Sequence, residues 1–341
     1  MKKETKIALF FGGKISQHLV MLKKAAKKLG VRLDLVSYNR VCFDTEELKV
    51  KIRGDLSKLE GQPQGIARTI KNEGWLQIND YDVLFFRTTG KHWEEVDLIM
   101  GEVERGEHKT RPYIVDPIIL NGKPSMACKA YQMLTLKRAG IDVPKSVYGS
   151  LWYLFEIMRE QITPNPSLRK EGNSIFSFPV IIKGSGGDRG TRVFKADNID
   201  ELENLVKELR KSETEEGKRY MLQEYIPNDG DYRVLVLGKK VLGVMKRSSQ
   251  DKAEFRNNYS AGGAVEVANL PQEVLDLAVK AADVCGLWVA GVDVAFRNND
   301  INKPVIWEVN KGPQFKGFMQ ATGIDVPKEI VKFLVSLTKS P

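Results

Sequence analysis

Three oxygen-bearing side chains late in the sequence have the types and spacing that hold a hard metal ion. Asp293 lies in the run Gly-Val-Asp-Val-Ala-Phe, and Glu308 and Asn310 lie two apart in Val-Ile-Trp-Glu-Val-Asn. Alternate side chains of a strand share a face, so Glu308 and Asn310 point the same way, and Val292 and Val294 point away from Asp293. A carboxylate on one strand beside Glu-x-Asn on its neighbour supplies hard oxygen ligands. These suit Mg²⁺, with Mn²⁺ as an acceptable substitute, held jointly by protein and phosphate oxygens. Asn310 adds a carbonyl oxygen without a third negative charge to repel phosphate. Taken alone, Glu-x-Asn carries little information, because acidic residues at strand ends are usually just solvated.

A second group suits anions. Lys183 ends the apolar run Phe-Pro-Val-Ile-Ile-Lys and precedes Gly-Ser-Gly-Gly-Asp-Arg-Gly, which contains Gly186 and Gly187. Glycines allow backbone N–H groups to approach a phosphate closely, and a lysine at the strand end adds a point charge. The pattern is neither a P-loop, which ends in Gly-Lys-Ser/Thr, nor a dinucleotide fingerprint. The bland alternative is a hairpin turn. Glu224, Tyr225 and Ile226 close a strand before Pro227, where backbone groups and a carboxylate could meet a purine edge; a plain strand end is the competing reading. Asp231 and Arg233, two apart, share a face, and the planar fork of Arg233 is suited to gripping a carboxylate. Lys246, Arg247 and Arg256 surround a polar loop whose positive charge would neutralise the oxygens of a transferring phosphoryl group. Nucleic acid is the rival partner for that loop, but Phe255 and Tyr259 are too few for a stacking platform. No Ser/His/Asp or Cys/His nucleophile arrangement is present, and His18, His92 and His108 all lie in the first third of the chain.

The elements that must position these residues follow from pattern. A chain of 341 residues suits two or three lobes rather than one core. Its net charge of +9 favours an anionic partner, although the charge is spread along the chain and is also explained by a lysine-rich solvated surface. Three widely separated cysteines give no disulfide framework or zinc spacing, as expected for a reducing cytoplasm. The apolar run near the start is too short for a signal peptide, and none reaches membrane-spanning length. A cytoplasmic protein with no membrane partner is expected.

Residues 1–115 alternate strands and helices, implying a small parallel α/β sheet: strands at Ile7 to Phe11, Leu33 to Val36 and Val83 to Phe86, and a helix bearing Leu19, Leu22, Ala26 and Leu29. Asp44 to Glu73 shows no clear period. Residues 116–341 read as α+β, with a turn at Asn121 to Pro124, a helix from Lys129 to Ala139, and an exposed loop over 161–173. Strands follow at Phe178 to Lys183, Arg192 to Lys195, Tyr220 to Tyr225, Tyr232 to Leu237 and Val241 to Lys246, with a hairpin signal at Gly238-Lys239. Helices at Ile199 to Leu209, Pro271 to Cys285 and Val326 to Leu337 and strands at Val289 to Phe296 and Val305 to Val309 complete the pattern.

In order, FPVIIKGSGGDRGTRVF, LQEYIPNDGDYRVLVLGKKVLGVMKR, EFRNNYSAGG, and GVDVAF followed by VIWEVN resemble the RimK-like ATP-grasp ligases. The resemblance is dense from about Asn121 onward and only architectural before it. It implies an α/β first domain followed by a two-lobed α+β ATP-grasp fold that clamps ATP. It further implies that Lys129 and Lys183 reach the α- and β-phosphates and that Glu224, Tyr225 and Ile226 meet adenine. Asp231 matches the ribose side, Arg256, Asn257 and Asn258 match an Arg-Ser-Asn element near the phosphates, and Asp293, Glu308 and Asn310 match the Mg²⁺ ligands. Arg233 and Arg247 are left as candidates for substrate. The implied reaction joins a carboxylate to an amine through an acyl phosphate, with glutamate as the first candidate amine. The acceptor would be a protein C-terminus or a small molecule. Alternatives are another peptide or dipeptide ligase, or a non-catalytic ATP-binding or RNA-associated regulator; a homo-oligomer is compatible with either. Three departures stand out: Cys128 replaces the usual Asp before the first lysine, Lys311-Gly312-Pro313-Gln314-Phe315 replaces the usual small-Ser/Thr-Pro-Gly run, and a polar insertion lengthens the link between Asp293 and Glu308.

Overall fold

The computed structural model describes residues 4–44, 49–53, 75–90, 92–105, 111–120, 128–162, 176–185, 192–248 and 264–338. The expected turn at Asn121 to Pro124 and most of the expected loop over 161–173 lie outside them.

The first lobe comprises β1 (Lys6–Phe11), α1 (Gln17–Lys28), β2 (Arg32–Ser37), β3 (Val41–Asp44), β4 (Lys49–Arg53), β5 (Trp75–Leu76), β6 (Val83–Phe86), α2 (Trp93–Arg105), β7 (Tyr113–Ile114) and α3 (Pro117–Leu120). Its main sheet runs β2-β1-β6-β7 with every pairing parallel, as the alternating pattern predicts. Burial on both faces explains why β1 and β6 are unbroken apolar runs. Ala8, Phe10, Leu84 and Phe86 face one core, while Ile7, Leu9, Val83 and Phe85 face the other. The stretch without a clear period contributes β4 to a small antiparallel sheet, β3-β4-β5.

The middle lobe comprises α4 (Lys129–Arg138), β8 (Ser146–Gly149), α5 (Leu151–Ile162), β9 (Val180–Gly184), β10 (Val193–Ala196), α6 (Ile199–Thr214) and β11 (Tyr220–Glu224). Its antiparallel sheet, β10-β9-β11-β8, is covered by α5 and α6 around a core of its own. Asn198 caps α6 by accepting from the Glu201 N–H at 2.9 Å.

The last lobe comprises β12 (Asp231–Leu237), β13 (Lys240–Ser248), β14 (Ala264–Val267), α7 (Gln272–Val284), β15 (Val289–Phe296), β16 (Pro304–Lys311), α8 (Lys316–Thr322) and α9 (Val326–Leu337). The antiparallel order is β14-β13-β12-β15-β16. Gly238 turns the β12–β13 hairpin at φ +60. The polar link after β15 turns through Asn298 and Asn299 at φ 52 and 57, a region that asparagine tolerates better than most residues. Helix α7 packs on the first-lobe core that holds Phe10, and α9 on the core that holds Leu9, so both cores continue into this sheet. From the middle lobe, Met133 and Leu136 of α4 and Met221 of β11 join the core that holds Phe10, and Lys183 near the end of β9 lies within electrostatic reach of Glu308 on β16.

Candidate active site

Cross-strand register gathers the predicted residues onto one face of the last sheet. Asp231 on β12 lies opposite Arg247 on β13, Arg233 lies opposite Asp293 on β15, and Asp293 lies opposite Glu308 on β16. Directly paired residues share a face, as do residues two apart, so these five side chains and that of Asn310 project together. Asn310 lies opposite Gly291. A Cβ on Gly291 would come within 2.9 Å of the Pro313 Cβ and 3.4 Å of the Arg233 Cδ, so the bare backbone keeps this end of the face open.

The charges are closely answered. The Arg233 fork donates Nε to Asp293 Oδ1 and Nη2 to Oδ2, both at 2.7 Å. Arg247 donates in the same way to Asp231 at 2.6 and 2.8 Å and reaches Asp293 Oδ2 at 3.1 Å. The Asn310 amide also donates to Asp293 Oδ2 at 3.1 Å. Burial works against ionising Asp293, but the two arginines outweigh it and hold its pKa at about 2. Asp231 goes the other way: burial, helped by the Asp293 charge, raises it to about 6 against the pull of Arg247.

Two lysines approach from the middle lobe and its leading helix. Lys129, at the start of α4, reaches Glu308 Oε1 at 3.1 Å. Lys183 lies near the end of β9, where burial and the Lys129 charge lower its pKa against the attraction of Glu308. Burial opposes the Glu308 carboxylate in turn, yet Lys129 and Lys183 keep its pKa below the ordinary glutamate range. The Lys129 N–H donates to the Ser185 carbonyl at 3.1 Å, and the Cys128 thiol lies 3.1 Å from the Ser185 hydroxyl, so α4 is tied to the end of β9.

Glu224, Tyr225 and Ile226 stand at the hinge between the lobes. Glu224 Oε1 accepts from the Lys145 N–H at 2.7 Å and from Arg297 Nη2 at 2.8 Å. Lys195 lies 5.1 Å from the Tyr225 ring centroid, and Ile226 is buried. Phe176, Phe178, Pro179 and Tyr225, with Lys145 and Glu224, line a cavity of 390 Å³. Its aromatic walls and single carboxylate suit a flat heterocycle. Gly186, Gly187, Arg256, Asn257 and Asn258 lie outside the described residues.

Sequence reasoning missed two residues that hold this arrangement. Gln132, one turn after Lys129 and buried, donates to the Val309 carbonyl and accepts from its N–H, both at 2.8 Å. β16 is an edge strand, and the Gln132 amide satisfies its free backbone between Glu308 and Asn310. Arg297 bridges Asp142 and Glu224, linking the hinge to the end of β15. A lone glutamine in a helix, or an arginine after a strand, gives no signal of such work.

Beyond Asn310, the chain runs through Lys311–Phe315 against the first lobe. Arg87, following β6 and buried, donates Nη2 to the Pro313 carbonyl at 2.6 Å, and its guanidinium lies 5.4 Å from the Phe315 ring centroid. Its Nη1 has no hydrogen-bond partner among the described residues. Lys311 Nζ lies 3.9 Å from Asp116 Oδ2, and neither atom has a hydrogen-bond partner among the described residues. Burial lowers Arg87 to about 10 and Lys311 to about 8, the latter against the attraction of Asp116.

A family model described as the RimK-like ATP-grasp domain matches residues 128–334, more than half of the chain. The chain belongs to the RimK-like ATP-grasp family. Among curated relatives, a probable alpha-L-glutamate ligase of Syntrophotalea carbinolica is 34% identical over 214 residues, which cover 62% of this chain and 64% of the relative. The chain thus spans just under two thirds of that relative's length. A probable alpha-L-glutamate ligase of Rhodopirellula baltica is 25% identical over 336 residues, covering 91% of this chain and 72% of the relative. Among solved structures, the ATP-grasp ligase PsnB complexed with a phosphomimetic variant of a minimal precursor, Mg and ADP superposes with a TM-score of 0.63 at 18% identity, over 99% of both chains. That likeness shows the ATP-grasp fold. Among the described residues no helix is long and apolar enough to cross a membrane.

Asp293, Glu308 and Asn310 fit a divalent cation in kind. Glu308 Oε2 and the Asn310 amide oxygen have no protein donor among the described residues, whereas both Asp293 oxygens are engaged. Two carboxylates and an amide oxygen are the donors a hard ion takes.

Proposed function

We propose that this RimK-like chain is an ATP-dependent carboxylate–amine ligase that adds glutamate to a carboxylate acceptor, on a protein C-terminus or a small molecule. The reading is carried by one observation: a single sheet face joins Asp293, Glu308 and Asn310 to Lys129 and Lys183, two lysines that reach it from outside the sheet.

The chemistry follows from the charges. Lys129 and Lys183 bind the phosphate chain, and the 390 Å³ cavity at the hinge takes the base. Mg²⁺ held by Glu308, Asn310 and Asp293 would neutralise charge on phosphate oxygens. An acceptor carboxylate oxygen attacks the γ-phosphorus; the bond to the β–γ bridging oxygen breaks and ADP departs. The amine of glutamate then attacks the carbonyl carbon of the acyl phosphate, a C–N bond forms, inorganic phosphate leaves, and the amine releases its proton. Arg256, with Asn257 and Asn258, is assigned to the transferring phosphoryl group. No protein nucleophile is required, because phosphoryl transfer depends chiefly on positioning and electrostatic stabilisation. Glutamate is chosen as the amine because the relatives' names point to it, and a basic chain of net charge +9 suits acidic substrates.

The test is ADP release measured against panels of amino acids and carboxylate acceptors, with mass analysis of the product. The expected product is heavier than the acceptor by one glutamate less one water, and Glu308→Gln with Asn310→Ala abolishes its Mg²⁺-dependent formation. ADP release that ignores the acceptor, or a product carrying a different amino acid, rejects the ligase or the glutamate assignment respectively.

A further inference from the structure

Asp293 Oδ2 is oversubscribed. It receives Arg233 Nη2 at 2.7 Å, Arg247 Nη2 at 3.1 Å and the Asn310 amide at 3.1 Å, three donors for two lone pairs. Oδ1 receives Arg233 Nε at 2.7 Å and keeps one lone pair. A divalent cation on either oxygen would therefore share it with a guanidinium nitrogen of Arg233. Two like charges on one buried carboxylate repel strongly, so the cation and the fork compete.

The two arginines are not equivalent in that competition. Arg247 has a second carboxylate: Asp231 holds it at 2.6 and 2.8 Å, so losing Asp293 costs it only its longest contact. The Arg233 guanidinium hydrogen-bonds to no residue but Asp293 among those described. Once displaced, its largely buried guanidinium needs another anion. Its stem runs beside Gly291, close to Pro313, where the chain leaves Asn310. A carboxylate arriving there meets a planar fork already ordered by the sheet.

We propose that Arg233 exchanges partners: its fork holds Asp293 until a divalent cation takes that carboxylate, and then turns to the acceptor's carboxylate. Arg233 is thereby a positioning residue in the first state and a specificity-determining one in the second. Metal and nucleotide bind before the acceptor, and neutral acceptors are refused. The inference rests on the ligase reading for its acceptor and on the proposed metal ligands for its trigger.

Two measurements test it. Mn²⁺ is titrated into the protein with saturating ADP, and free Mn²⁺ is read by electron paramagnetic resonance. Losing a charge-assisted fork from its competitor, Arg233→Met binds Mn²⁺ about tenfold tighter, and Arg233→Lys, which keeps the charge but not the fork, falls between it and wild type. Asp293→Asn loses affinity. In the wild-type protein, ¹⁵N-arginine spectra follow the two Nε–H groups as Mg²⁺ and ADP are added. The Arg233 Nε–H exchanges with water at least about tenfold faster once its carboxylate is taken, while that of Arg247 stays protected by Asp231. A fork that only braces the sheet would not respond selectively. Unchanged Mn²⁺ affinity in both Arg233 variants, or an Arg233 Nε–H that stays protected with Mg²⁺ and ADP bound, overturns the exchange and leaves the ligase reading standing. Wild-type Mn²⁺ affinity in Asp293→Asn overturns the metal assignment and the exchange together. Failure of the ligase reading shows separately, as ADP release indifferent to the acceptor.

Discussion

Two clusters of buried charge lie at opposite ends of the segment that carries Asn310, and they are built on opposite principles. Across β12, β13 and β15, Asp231, Arg247, Asp293 and Arg233 form a ladder in which every charge is met at 2.6–3.1 Å. At the junction with the first lobe, the Arg87 guanidinium makes one hydrogen bond among the described residues, while Lys311 and Asp116 face each other at 3.9 Å without one, and Asp116 Oδ1 accepts instead from the Trp288 N–H at 2.9 Å. The ladder is fixed by strand register, which repeats favourable pairs along a rigid sheet. The junction is fixed by a loop packing against another lobe, where pairing is incidental. Removing one member of a closed ladder strands its partners in a low-dielectric setting. Removing a cation that was never properly paired also removes its desolvation cost.

The largest effect is therefore expected in the ladder. Asp293→Asn leaves Arg233 and part of Arg247 facing a neutral amide, and should destabilise the protein by about 3–5 kcal/mol in denaturant unfolding. A loss below about 1 kcal/mol would show that water reaches these arginines freely and that the ladder is not electrostatically closed.

Acid gives a smaller effect with a definite sign. The folded-state pKa of Asp293 is about 2, below its ordinary 3.8, so its contribution is complete above about pH 4 and is lost as pH falls through 2. The shift corresponds to about 2 kcal/mol of unfolding free energy. Asp231 has the opposite sign: raised to about 6, its ionised form is a burden that is relieved as pH falls through 6. Unfolding free energy measured from pH 7 downward should rise through 6 before falling between 4 and 2. The fall should be shallower in Asp293→Asn, with Glu308 and Asp142, whose pKa values are also held low, supplying what remains, and a monotonic profile would mean that Asp231 ionises normally against Arg247.

The same contrast explains what was legible in the sequence. Glu308 and Asn310 were readable as a pair because period-two spacing within one strand is a local property. So were the long strands β12, β13, β15 and β16, whose apolar alternation survives without knowledge of neighbours. Arg233 reads as a fork waiting for a carboxylate, and it does hold one, but the carboxylate is Asp293. That pairing depends on β12 lying beside β15, strands more than fifty residues apart, which no local pattern encodes. Helix α5 was not anticipated: Leu151, Leu154, Phe155 and Met158 have helical spacing and are buried, but Trp152 and Tyr153 on the exposed side blur the period. β14, exposed along most of its length at the sheet edge, has no alternation to read. Gln132 was hidden for the same reason as the register: its partner is a strand edge created only by the fold.

The smallest effect should come from the junction, and it decides whether the comparison holds. Arg87→Met keeps a stem of similar length against Phe315 and removes a guanidinium whose Nη1 goes unmet. The bond to the Pro313 carbonyl is lost, which costs about 1.5–3 kcal/mol for a charged donor, while the desolvation cost of the charge is recovered. These terms are of similar size, so unfolding free energy should change by no more than about 1 kcal/mol in either direction. A loss near that of Asp293→Asn would mean that Arg87 is paired as fully as the ladder, and that burial alone does not set what a buried arginine is worth here.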